Sequence, residues 1–285
     1  MKIGVTYPQT ELGGDPIAVR DFGQAVEELG YDSLLAYDHV VGASHADRDP
    51  ELWGPYTETD PFHCPLMMFS YLAGITERIE FVTGVIILPQ RQTALVAKQC
   101  TDLDLLCGER FRLGVGTGWN YVEYEALGED FESRGPRISE QIDLLRRYWT
   151  EDLFSFEGRF DSITRGNINV RPNRSIPIWL GGFSEPAFRR AARQGDGFIY
   201  AGNVEAGIHG RTRVEAHLEE AGRSDTDFGH ELIMLRAKSP AESAETAAGW
   251  RDAGGSHASV VTMNLGLEGL QAHLDYITEV RGLLD

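Results

Sequence analysis

Lysine is almost missing from this sequence: Lys2, Lys98 and Lys238 are the only three in 285 residues. An anion must therefore be held mostly by arginine or by backbone N–H groups. Lysine and arginine together number 26 against 44 acidic residues, a formal net charge of −18. That balance argues against nucleic acid or an anionic membrane as a partner, because phosphate-rich surfaces attract basic patches. Cysteine is as sparse, with Cys64, Cys100 and Cys107 and no C-x-x-C pair. Such usage suits reduced thiols in a cytoplasmic protein. Cys100 and Cys107 lie two helical turns apart in a leucine-rich stretch and read as core. No apolar run is long enough to span a membrane, and a first strand beginning at Lys2 leaves no room for a signal peptide. His39 has no H-x-H partner, and His63 and Cys64 fall outside any strand end. No metal site is expected, since sparse ligands cannot fill a coordination shell.

What is present is a repeated strand and helix pattern, in a chain with 42% hydrophobic residues and enough apolar material for a large core. "MKIGVTYP" reads as a strand, followed by Asp15 as a cap and Pro16 in a first helical turn. Phe22, Ala25, Val26 and Leu29 then repeat at helical spacing, and Gly30 stops the helix. Further strands are read in "DSLLAYDHV", "IEFVTGVIIL", "FRLGVG", "IPIWLGG", "GDGFIYAG", "HELIMLRA" and "HASVVTMN". Helices follow them, one with Ile138, Ile142, Leu145 and Trp149 on one face, another opened by Ser239 with Glu242 at the capping-box position. Residues 40–62 and 150–175 lack clear periodicity and read as long loops after strands two and four. Eight strand–helix units imply a parallel sheet closed into a (β/α)₈ barrel, one domain over residues 1–285.

In such a barrel the chemistry lies at the C-terminal strand ends. Those ends carry Tyr7-Pro8-Gln9, Asp38-His39, Gly84-Val85, Gly116 to Asn120, Gly181 to Ser184, Tyr200 to Asn203 and Arg236. One histidine, several glycines and several aromatics suit the floor of a flat ring system. The stretch "GVGTGWN" does not have the G-x-G-x-x-G spacing of a dinucleotide turn, and an aromatic and acidic stretch follows it in place of a helix. Gly181 and Gly182 lead through Phe183 and Ser184 into a helix N-terminus, where free N–H groups and the helix dipole can hold a phosphate.

The stretches "YDSLLAYDHV", "TERIEFVTGVIILPQRQTALVAKQCTDLDLLCGERFRLGVGTGWNYVEYEALG" and "IPIWLGGFSEPAFRRAARQGDGFI" resemble the luciferase-like monooxygenase family. Within it they look most like the coenzyme F420-dependent oxidoreductases. The resemblance implies a barrel of the bacterial-luciferase type, with the ring of a deazaflavin or flavin over a bulge in strand three. The bulge, with a non-prolyl cis peptide, maps to Gly84–Val85 and follows Thr83. Cofactor contacts map to Asp38, Thr83, Gly84, Val85, Gly116, Thr117, Gly118, Trp119 and Asn120. Phosphate contacts map to Gly181, Gly182, Phe183 and Ser184. The F420-dependent sugar-phosphate dehydrogenases have an acidic residue where this chain has Trp119, so sugar-phosphate oxidation is not expected.

The expected activity is hydride transfer between F420 and a small organic substrate. His39 is the candidate for proton transfer, Asp38 its orienting neighbour, and Trp119 a wall. Tyr7, Tyr121 and Phe183 are expected to line the pocket. The alternatives are an FMN-dependent monooxygenase fed by a separate reductase, and a non-catalytic flavin- or F420-binding barrel. A homodimer is expected through the helices after strands two and three, because "PLMMFSYLAG" has more apolar surface than one barrel face can bury.

Overall fold

The computed structural model describes residues 1–284. Its elements open with β1 (Lys2–Thr6), the one-turn α1 (Gln9–Leu12), α2 (Pro16–Glu28), β2 (Ser33–Ala36) and α3 (Pro65–Ala73). Then come β3 (Glu80–Thr83), β4 (Ile86–Ile87), α4 (Thr93–Leu106), β5 (Phe111–Gly116), α5 (Tyr121–Ala126) and α6 (Arg134–Thr150). A hairpin, β6 (Phe154–Glu157) and β7 (Ser162–Gly166), precedes β8 (Ile178–Gly181), α7 (Glu185–Gln194), β9 (Gly197–Ala201) and α8 (Val204–Glu220). The chain finishes with β10 (Gly229–Ile233), α9 (Pro240–Asp252), β11 (His257–Val261) and α10 (Gly269–Leu284).

The sheet closes. Its order is β3-β2-β1-β11-β10-β9-β8-β5-β4, and β3 also pairs with β5. Every pairing within it is parallel, including the closing one, where Lys2 to Thr6 run alongside His257 to Val261. β3 and β4 are one barrel strand interrupted at Gly84 and Val85, which are joined by a cis peptide as the resemblance implied. The fold is the expected eight-stranded (β/α)₈ barrel.

Local chemistry explains the elements that the sequence marks well. Asp15 accepts from the Ile17 N–H at 2.9 Å, Pro16 begins α2, and Gly30 at φ 78° turns the chain out of it. The buried face of α2 includes Val19, Phe22 and Val26. Ser239 accepts from the Glu242 N–H at 3.2 Å. The Glu242 carboxylate reaches back to the N–H of Lys238, one residue before the Ser239 N-cap.

Two expectations are corrected. The stretch after "GVGTGWN" is helical within a few residues, because the Asn120 side chain accepts from the Val122 N–H and starts α5. The loop at 150–175 holds the β6–β7 hairpin, whose turn is fixed from outside its own sequence. Glu140 on α6 accepts from the N–H groups of Arg159, Phe160 and Asp161 at 2.7 to 2.8 Å.

The barrel interior is layered. At its base the Arg112 guanidinium lies 4.0 Å from the centroid of the Trp179 ring and pairs with Glu231 at 2.7 Å and Glu80 at 3.2 Å. The His257 ring meets Trp179 edge-on at 5.0 Å. Above this layer pack Leu35, Val82, Ile199, Ile233 and Val261. They close the barrel from below and leave its C-terminal mouth for the site.

Candidate active site

A cavity of about 400 Å³ opens at that mouth. It is lined by strand ends and by the loop after β2, which has no regular element between residues 37 and 64. The loop starts where β2 leaves the sheet after Ala36. Gln9, fully buried, holds the departure by donating to the Tyr37 carbonyl and accepting from the His63 N–H. Tyr37, Asp38 and His39 are thereby turned over the cavity.

Two glycines make the floor possible. Val85 stands between β5 and β8, and a Cβ at Gly116 would come within 2.7 Å of one of its methyls. A Cβ at Gly181 would come within 2.8 Å of the other. Gly118, at φ 65°, sits in the left-handed region that favours glycine. Ile87, Ile199, Ala201 and Ile233 extend the apolar wall.

The acidic and imidazole side chains on the wall are Asp38, His39 and Glu123, beside the phenols of Tyr37 and Tyr56; no lysine or arginine lines the cavity. All of these come from the first half of the chain. The second half contributes glycine, serine and apolar side chains alone. Asp38 is buried and both its oxygens accept from Nη2 of Arg91, at 2.9 and 2.7 Å. Burial pushes its carboxyl up, with the Arg91 guanidinium opposing.

His39 makes its hydrogen bond elsewhere, to Glu123, with Nδ1 3.2 Å from Oε1. The same Oε1 accepts from the N–H groups of Val40 and Val41 at 2.8 and 3.2 Å, and Oε2 from Gln90 at 3.3 Å. Burial pushes the Glu123 carboxyl up, but the bonds from His39, Val41 and Gln90 outweigh it and hold it below the usual carboxylate range. The orienting neighbour of His39 is therefore Glu123, not Asp38. The rings of Phe62, Tyr56 and Trp119 surround His39 at 4.8, 5.2 and 5.7 Å between centroids.

Of the residues expected at the site, Asp38, His39, Gly84, Val85, Gly116, Thr117, Gly118, Trp119, Gly181, Gly182, Phe183 and Ser184 line this one cavity. Four do not. Thr83 is fully buried with its hydroxyl shared between the carbonyl and N–H of Gly114. Asn120 is spent on capping α5. Tyr7 is fully buried and donates to the Leu12 carbonyl, and Tyr121 donates to the Pro50 carbonyl. Residues not anticipated include Glu123 and, from the segment after β2, Tyr37, Trp53, Pro55 and Tyr56. Glu123 had a signal: it stands four residues past Trp119, one helical turn on, in a stretch that is helical after all.

Away from the mouth, Glu215, Asp225 and His230 converge within ligand distance of one another. Arg211 already pairs with Glu215 at 2.8 Å and Asp225 at 3.5 Å, which offsets one of that cluster's two negative charges.

The lining fits a flat tricyclic cofactor. Val85 and its glycine neighbours give an apolar platform. At one edge Ser184 precedes α7 as its N-cap, but its side chain makes no capping bond to the helix. Pro186 has no N–H and the Ala187 N–H donates to the Ser184 carbonyl at 2.9 Å, so an anion at this helix end would meet the N–H groups of Ser184 and Glu185 and the free Ser184 hydroxyl.

The chain is 35% identical over 217 residues to an uncharacterized protein of Mycobacterium tuberculosis, 74% of this chain and 75% of that one. It is 32% identical over 208 residues to the F420-dependent glucose-6-phosphate dehydrogenase of Intrasporangium calvum, 70% of this chain and 57% of that one. An F420-dependent secondary alcohol dehydrogenase, solved with an F420-acetone adduct, superimposes with a TM-score of 0.80 over 100% of this chain and 99% of its own, at 15% identity. The luciferase-like monooxygenase family matches residues 1–279. With its barrel, its interrupted third strand and its glycine-floored mouth, the chain belongs to the luciferase-like monooxygenase family and is an enzyme of that kind.

Proposed function

We propose that this enzyme is an F420-dependent oxidoreductase, moving a hydride between the deazaflavin and a small, uncharged organic substrate. The observation that carries the reading is the pairing, in one cavity, of a glycine-flanked apolar platform with a single histidine. F420, when bound, supplies or accepts the hydride. Gly84, Val85, Gly116 and Gly181 would support its ring, and Gly181 to Ser184 its phosphate. His39 handles the proton: it takes it from a hydroxyl as the neighbouring carbon loses hydride, or returns it to a carbonyl oxygen as carbon gains one.

The charge inventory of the wall narrows the substrate. Asp38 is already paired with Arg91, Glu123 already accepts four hydrogen bonds, and no cationic side chain is present to receive a phosphate or carboxylate. An anionic substrate would meet two carboxylates. This argues against sugar phosphates, in spite of the relative named for one.

Titration with F420 and with FMN, in separate experiments, tests the cofactor. F420 should bind more tightly. Tenfold tighter FMN binding, about 1.4 kcal/mol, would favour a monooxygenase served by a separate reductase. In a crystal of the complex the cofactor phosphate should lie at Gly181 to Ser184; a phosphate beyond β10 and β11 would refute that placement. Tight binding with no turnover on any alcohol, carbonyl or enone would favour a storage role.

The reading includes a cytoplasmic homodimer. Cys64, Cys100 and Cys107 are all free thiols, and no helix among the described residues is long and apolar enough to cross a membrane. Met67 and Tyr71, one turn apart on α3, and Leu95 and Leu106 on α4 are exposed apolar side chains that a second copy would cover.

A further inference from the structure

We propose that Glu123 is a positioning residue that holds His39 as the Nδ1–H tautomer, leaving Nε2 as the bare acceptor at the cavity. The argument begins with what Glu123 can accept. Its Oε1 receives two main-chain N–H groups, from Val40 and Val41, and its Oε2 faces the amide of Gln90. These donors favour the ionised carboxylate, which accepts and cannot donate. The ring nitrogen 3.2 Å from Oε1 must then carry the proton, and that nitrogen is Nδ1. Imidazole in water prefers the opposite tautomer, so the site reverses the intrinsic choice.

The geometry also fixes the ring in space. The oxygen that holds Nδ1 holds the backbone of the next two residues, so ring and main chain are anchored at one point. Phe62, Tyr56 and Trp119 restrict the ring on its other sides. No hydrogen bond from Nε2 is formed among the described residues, and His39 lines the cavity. A substrate oxygen would therefore meet Nε2. This inference rests on the reading of His39 as the proton-transfer group, and adds which nitrogen acts and what sets it.

The test is the ¹⁵N spectrum of histidine-labelled protein at a pH where His39 is neutral, with the His39 signals assigned by their loss in His39→Gln. The wild type should show a protonated Nδ1 and an unprotonated Nε2. An Nε2–H ring overturns the proposal, and this measurement needs neither a substrate nor a variant of Glu123. Glu123→Leu should release the ring to Nε2–H and lower kcat by roughly a hundredfold or more, as wrong-tautomer variants of paired histidines do. Glu123→Gln, which keeps one acceptor oxygen, should restore the Nδ1–H tautomer. In a His39→Ala background Glu123→Leu should cost nothing further, whereas additive losses would mark Glu123 as merely structural. Full turnover by His39→Ala would instead defeat the reading beneath this proposal, and the tautomer measurement distinguishes that failure from its own.

Discussion

Gly54 lies directly against the indole of Trp119: a Cβ built at residue 54 would stand 2.4 Å from two of its ring carbons. The loop after β2 thus rests on the tryptophan that walls the cavity beside His39. Gly54→Ala should push the indole toward the cavity and misplace a bound substrate. Displacements on the 1 Å scale cost as much as about a hundredfold in rate. We expect kcat/KM to fall by roughly tenfold to a hundredfold. The denaturation midpoint should hardly change, because the loop is outside the barrel core. A variant with unchanged kinetics would show that the indole yields without consequence.

His39→Ala should lower kcat by roughly 10²–10⁴-fold, the usual contribution of a general acid or base. F420 affinity should change little, since the imidazole is read as facing substrate. Steady-state kinetics beside a cofactor titration separate the two effects. Near-normal turnover with lost cofactor binding would make His39 a packing residue.

Stability should depend on pH through His257 at the barrel base. Burial, with Arg112, Lys2 and the N-terminus adding to it, depresses this imidazole to about 3. Its unfolded counterpart protonates near 6.5. Above that pH both states are neutral and the group contributes its full stability. As pH falls below 6.5 the unfolded chain takes up a proton that the folded chain refuses, and stability drops by about 1.4 kcal/mol per unit. Urea melts at pH 7 and pH 5 should therefore differ by about 2 kcal/mol from this group. His257→Gln should remove that part of the slope, and an equal slope in the variant would assign it to other groups.

Light scattering at micromolar concentration should give the mass of a dimer. Met67→Asp with Tyr71→Asp places two charges on the exposed face of α3 and should yield monomers that keep their circular dichroism. A monomeric wild type would leave that face without the proposed occupant.

The barrel was legible because its signals are local. Asp15 with Pro16, Ser239 with Glu242 and the glycines after strands each act within a few residues, so sequence carries them. The hairpin at 154–166 was not, because the carboxylate that fixes its turn belongs to Glu140, in the helix before it. The partner of His39 was missed for the same kind of reason. Asp38 adjoins it in sequence, but Arg91 takes Asp38, and Glu123 arrives from 84 residues away. Thr83 and Asn120 were placed at the cofactor by the family resemblance. Both hydroxyl and amide turn out to serve the backbone around them. Strand position tells which end of the barrel a residue occupies, but not whether its polar atoms are already committed.

The ionisable wall residues all come before residue 124, and the second half of the chain supplies only neutral ones. On the proposed reading the mouth divides by arc: the proton is handled on one side of the rim, and the cofactor's phosphate tail is held on the other. The two arcs can then diverge independently. Exchanging the loop at 40–62 among homologous barrels would change what is transformed without loosening the cofactor. Changes around 181–184 would alter the tail that is held and leave the reaction alone.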